Sequence, residues 1–137
     1  MVQVEQRYKD LAYRIIHCAY EVYNEKRGGL LESAYESCLA YEFKLEGLRY
    51  QEQAELPLWY KGVKLDKTYR MDLVVESDII VELKALGEYG AAERMQLFNY
   101  LRLTHSPIGL LINFSLDDGV QFERYHYDVA TNHCERF

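Results

Sequence analysis

Residues 69–85, YRMDLVVESDIIVELKA, are two apolar runs joined by a short polar turn. Valine and isoleucine crowd the runs, as strand propensity favours, and Glu76, Ser77 and Asp78 supply turn chemistry. Asp72 interrupts the first run, and Glu82 and Lys84 interrupt the second. Charges inside such runs are costly to bury unless they pair or bind a metal. Side chains alternate faces along a strand, so Glu82 and Lys84 point the same way, and Arg70 and Asp72 share a face opposite Met71 and Leu73. If residues 76–78 form a three-residue loop, Val75 pairs with Ile79 and Asp72 falls opposite Glu82, with Cα atoms about 4.5–5.5 Å apart. A two-residue loop would break that pairing. Like charges so placed repel, and a divalent cation between them would turn repulsion into binding energy.

The sequence on either side predicts the frame around this hairpin. In residues 63–75 the face carrying Lys64, Asp66, Thr68, Arg70 and Asp72 is polar and then becomes Val74. The strand therefore runs from solvent into a buried sheet, with Asp72 at the border, where a pocket rim belongs. Tyr50 to Tyr60 reads as a long strand, with Pro57 marking an edge or an irregularity. After Lys84 come a loop with Gly87 and Gly90 and a helix over about 91–104. Glu93, Gln96, Leu97, Tyr100 and Thr104 lie along one of its faces, so Gln96 and Tyr100 point together. Spacing alone makes those two a part-exposed amide and a packed ring. Ile108 to Phe114 is nearly continuously apolar, as in a strand buried on both faces, and a strand–helix–strand series implies a parallel crossover. Asp117-Asp118-Gly119 then turns the chain into Val120–Tyr127, read as a half-exposed edge strand. Residues 130–137 carry no readable signal.

Upstream, Tyr8, Leu11, Ala12, Ile15, Ile16, Ala19, Val22 and Tyr23 keep the three-four spacing of an amphipathic helix over about 3–26, stopped by Gly28-Gly29. A second helix carries Leu31, Ala34, Tyr35, Cys38, Leu39 and Leu45 and ends at Gly47. Glu32 sits in its first turn, where the helix macrodipole alone would favour a carboxylate. The sharper reading is that Glu32 faces the sheet and joins Asp72 and Glu82. The order is thus α-α-β-β-β-α-β-β, an α/β mixed sheet flanked by helices, in one domain spanning 1–137.

Composition narrows the function classes. The chain has 137 residues, 49% hydrophobic and 28% charged, a globular balance. No apolar run approaches the roughly 20 residues needed to cross a bilayer, and MVQVEQRYKD lacks a secretory apolar segment. Cys18, Cys38 and Cys134 are odd in number without CxxC spacing, which argues against a disulfide framework or zinc site. A reduced cytoplasm is the expected setting. The net charge of −6 excludes binding nucleic acid by overall charge, so such a role needs a local basic patch, a metal or a partner. Thirteen tyrosines suit core or interface packing, and base stacking is also open to them. His17 reads as solvated, and His105, His126 and His133 show no ligand spacing.

Asp72, nine intervening residues and Glu82-Leu83-Lys84 resemble the D…ExK signature of the PD-(D/E)XK nuclease superfamily. The α-β-β-β-α-β order resembles its core, a restriction-endonuclease-like fold. Gly29-Leu30-Leu31-Glu32-Ser33-Ala34-Tyr35 is similar to the motif naming the GxxExxY protein family, a branch of that superfamily. Gln96-Leu97-Phe98-Asn99-Tyr100 is similar to the QxxxY motif of RecB-like nucleases. Met71 departs from the pattern, standing where the name-giving proline would be. The resemblance implies a metal held by Asp72 and Glu82, with the Leu83 carbonyl as a further ligand and Glu32 completing or orienting the site. It implies that Lys84 positions or activates the attacking water. Gln96 and Tyr100 would border the site and touch the nucleic-acid backbone or the lysine, and Arg70 joins them as a substrate-binding residue. Hard oxygen donors select Mg²⁺ or Mn²⁺. Lys84, about 6.6 Å along the strand from Glu82, suits the nucleophile better than the ion. The implied function is Mg²⁺-dependent phosphodiester hydrolysis, with DNA as the expected substrate. Alternatives are a catalytically silent interaction module of the same fold, or a metal-dependent hydrolase of RNA or nucleotides. No membrane partner is expected; a homo-oligomer or protein partner stays open.

Overall fold

The computed structural model describes residues 2–137. Its elements are α1 (Gln6–Lys26), α2 (Glu32–Leu45), β1 (Tyr50–Tyr60), β2 (Val63–Val75), β3 (Ile79–Lys84), α3 (Ala91–Thr104), β4 (Ile108–Phe114), β5 (Val120–Asp128) and β6 (His133–Arg136). The strands form one sheet in the order β1-β2-β3-β4-β5-β6. Only β3 and β4 are parallel, joined across α3, and every other neighbouring pair is antiparallel. The expected element order is present, and the mixed α/β sheet is the restriction-endonuclease-like arrangement.

Helices cover both faces of the sheet. The apolar stripe of α1 (Tyr8, Ala12, Ile15, Ile16, Ala19, Val22) and the Tyr35, Leu39 and Phe43 side of α2 pack with Leu73, Val75, Val81, Leu83, Leu110 and Ile112. On the other face, Leu97, Tyr100 and Leu101 of α3 pack with Met71, Ile80, Leu111, Tyr125 and Tyr127. Gly109 lets α3 come close, because a Cβ there would lie 2.9 Å from side-chain carbons of Leu97 and Leu101.

The α1–α2 connection is fixed from below. A Cβ on Gly28 would stand 2.1 Å from the Leu116 carbonyl oxygen, so only glycine permits this approach to the β4–β5 loop. Tyr23 donates its hydroxyl to the Ser115 carbonyl at 3.0 Å in the same junction. Tyr35 is fully buried, stacks on Phe114 with ring centroids 4.4 Å apart, donates to the Arg27 carbonyl at 2.6 Å and accepts from the Leu30 amide at 3.2 Å. Those contacts set where α2 begins, and hence where Glu32 stands.

Three expectations are corrected. Helix α1 begins at Gln6 rather than near residue 3, since Glu5 is still extended (φ −58, ψ 141). Strand β5 is not an edge: β6 pairs with it through Tyr127↔Cys134 and Asp128↔His133. His-Cys-Glu-Arg has neither β-branched residues nor apolar alternation, so its strand comes from ladder bonds to β5 after a turn through Asn132 (φ 56), not from propensity. Finally, Met71 and Leu73 do not share a layer: Met71 packs under α3 and Leu73 under α1 and α2. The change coincides with Gln53, the residue of β1 facing Asp72, which takes a left-handed conformation (φ 49). On β1 the layer changes too, Tyr50 packing with one helix layer and Ala54 and Leu56 with the other. Pro57 does mark an irregularity, the pairing of the edge strand β1 slipping between Pro57 and Trp59.

Candidate functional site

The turn after β2 has three residues, with Glu76 and Ser77 at φ 52 and 65, and it sets Val75 opposite Ile79. The β2–β3 ladder runs through Val74↔Ile80 to Leu73↔Val81 and stops, while β3 stays paired with β4 as far as Lys84↔Asn113. Where β2 departs, carboxylates take the place of ladder carbonyls. The Asp72 amide donates to Glu82 Oε1 at 3.1 Å, and the Leu83 amide donates to Asp72 Oδ2 at 2.8 Å. Asp72 and Glu82 therefore meet at the fork between two strands, as the register count required.

Burial sets their electrostatics. Glu82 is 2% exposed, and burial, reinforced by the charge of Asp72, pushes its carboxyl up to about 9. Ion pairs among the described residues lie elsewhere. Lys84 donates instead to Gln96 Oε1 at 2.8 Å, Gln96 Nε2 donates to the Tyr100 hydroxyl at 3.2 Å, and that hydroxyl donates to the Arg70 carbonyl at 3.2 Å. The helical spacing of Gln96 and Tyr100 thus aims both at one line of hydrogen bonds that holds the ammonium in place. Behind it, Asn113 accepts from the Leu86 amide at 2.9 Å and donates to the Leu86 carbonyl at 3.0 Å, which pins the loop leaving β3.

Helix α2 brings acids from the other side. Burial holds the Glu32 carboxyl above its ordinary value, the charge of Asp72 adds to this, and that of Lys84 opposes it. Two residues that the sequence reading left out join here. Glu36, one turn after Glu32, is pushed up to about 7, by burial first and by Asp72 in addition. Gln53 donates to Glu36 Oε1 at 2.7 Å and reaches Asp72 Oδ1 at 3.5 Å. The i, i+4 spacing from Glu32 could have flagged Glu36; nothing local in the sequence flags Gln53. Arg70 is directed away, its exposed guanidinium 3.3 Å from Glu55 of β1, and only its carbonyl touches the site.

The donor set suits a hard cation. Two carboxylates meet with backbone amides and no ammonium or guanidinium between them, and the drier one is strongly disfavoured as an anion until positive charge arrives. Among the described residues no three His, Cys, Asp or Glu side chains converge closely enough to hold an ion unaided. Asp72, Glu82 and the Leu83 carbonyl would carry such an ion, with water filling the remaining positions.

A family model described as the PD-(D/E)XK nuclease superfamily matches residues 9–125. Among solved structures, the chain resembles the crystal structure of SSO0001 with a TM-score of 0.53 and 22% identity. The likeness covers 93% of this chain and 63% of that one, so this chain spans less than two thirds of its neighbour, and it is a likeness of fold alone. No curated protein matches the chain.

Proposed function

The chain belongs to the PD-(D/E)XK nuclease superfamily, and from that premise we propose that it hydrolyses phosphodiester bonds in DNA with Mg²⁺ or Mn²⁺ at the Asp72–Glu82 fork. Within the superfamily we assign it to the GxxExxY branch, on Gly29, Glu32 and Tyr35. The observation that carries the reading is the termination of the β2–β3 ladder in two facing carboxylates beside a tethered lysine.

A divalent cation held there would polarise a phosphoryl oxygen and lower the pKa of a bound water. The protein's own groups do the rest. Asp72 and Glu82 supply oxygen ligands whose positions are fixed by backbone amides. Lys84 places a positive charge over the attacking water and the developing phosphoryl charge. Gln96 and Tyr100 are positioning residues: they hold the lysine at one point and leave it free of the carboxylates. Glu32 and Glu36, contributed by α2, accept hydrogen bonds from water and orient it, and Glu36, pushed up to about 7, is suited to receive a proton near neutrality.

Incubation of labelled single-stranded DNA, duplex DNA and RNA with the protein and Mg²⁺ tests this. Cleavage of DNA by the wild type is expected, abolished by a chelator and by Asp72→Ala, and lowered about 10²-fold or more by Lys84→Ala. Cleavage of RNA alone would move the substrate class. Equal background from wild type and Lys84→Ala would leave a silent module of the same fold.

A further inference from the structure

We propose that the β1–β2 hairpin is an arm that binds an unpaired nucleic-acid strand and leads it to the carboxylate fork. The proposal rests on the nuclease reading for the destination of that strand, but not for the binding itself. Residues 63–68 of β2 are all exposed, as are the turn and the end of β1. Large apolar side chains stand in water there without cover: Trp59 is 61% exposed, Tyr60 62% and Val63 58%. Over residues 57–68 Lys61, Lys64 and Lys67 stand with a single acid, Asp66, inside a chain of net charge −6. This is the local basic patch that an acidic protein needs in order to hold phosphates.

The arm also connects to the site. Lys67 Nζ lies 5.1 Å from the Tyr69 ring centroid, and Tyr69 packs edge-on against Tyr100 at 5.9 Å. Tyr100 in turn bonds Gln96, which holds Lys84. A line of contacts therefore runs from Lys67, on the exposed stretch of β2, through Tyr69, Tyr100 and Gln96 to Lys84. A two-stranded ribbon also fits a duplex major groove, but an intact duplex hides its base faces. Exposed indole and phenol rings interleaved with lysines match a strand whose bases are free to stack.

Trp59 is the one tryptophan in the sequence, so intrinsic fluorescence reads the arm directly. Titration of the full chain in chelator, which prevents cleavage, should show saturable quenching by a single-stranded oligonucleotide and weaker quenching by the matching duplex. Labelled-oligonucleotide anisotropy should show about 5-fold or greater loss of affinity for Trp59→Ala, from the loss of one stacking contact. The Lys61→Ala/Lys64→Ala double variant should reduce the magnitude of the log–log salt slope by about 1.4. All three positions are exposed, so thermal stability should not change. No quenching, tighter duplex binding, or a fluorescence change that follows protein concentration alone, as for self-association, would each overturn the proposal. Quenching without cleavage in Mg²⁺ would keep the arm and remove the nuclease reading. Cleavage without quenching would do the reverse.

Discussion

Glu82 and Glu123 are equally dry, 2% and 3% exposed, yet their carboxyls are displaced in opposite directions. Glu123 on β5 accepts two hydrogen bonds of 2.7 Å from the Arg94 guanidinium and one from the Tyr125 hydroxyl, and these hold it down at about 2. Glu82 has a second carboxylate where Glu123 has a guanidinium, and it rises. One acid carries its counter-charge within the fold and ties α3 to β5; the other meets a second carboxylate. The depressed value of Glu123 has a pH signature. A carboxyl lowered from an ordinary value near 4.5 to about 2 contributes stability above pH about 4.5 that is lost as the pH falls towards 2. Urea unfolding of Glu123→Gln across that window should therefore show a shallower acid loss than the wild type, from a lower starting stability. Parallel curves would mean that the pair contributes nothing to folding.

At the scale of elements, the hairpin, the crossover and all three helices are legible because each follows one rule: alternation, a continuous apolar run, or three-four spacing. The meeting of Asp72 and Glu82 is legible for the same reason, once three polar residues are read as a three-residue loop. What escapes depends on distant backbone. Strand β6 exists because β5 offers it a free edge, and the change of layer at Met71–Leu73 falls opposite Gln53, a non-glycine residue whose positive φ no local pattern announces. Gln53 therefore enters the site unannounced, whereas the i, i+4 spacing from Glu32 does point to Glu36. The seat of α2 depends on Gly28 pressed against the β4–β5 loop. Gly28→Ala should cost about 3 kcal/mol, because the obstacle is a backbone carbonyl, whereas Gly109→Ala should cost about 1 kcal/mol, since flexible leucine ends can move. Urea midpoints measure both, and equal costs would contradict this account of the junction.

At the scale of the whole molecule, both helix layers converge on one defect in the sheet. Helix α2 supplies Glu32 and Glu36, α3 supplies Gln96 and Tyr100, and β2 and β3 part between them at Asp72 and Glu82. A closed ladder would bury this position in apolar contacts; the fork instead sets Asp72 and Glu82 against each other, with the charge of Asp72 acting on Glu32 and Glu36 of α2. Burial and the charge of Asp72 keep the proton on Glu82, and a bound cation would have to displace it, so the proposed chemistry requires cation uptake at the fork. Calorimetric titration with Mn²⁺ measures that uptake. One saturable site on the wild type, absent in Asp72→Ala, is the predicted result, and a wild type that takes up no Mn²⁺ would contradict the account.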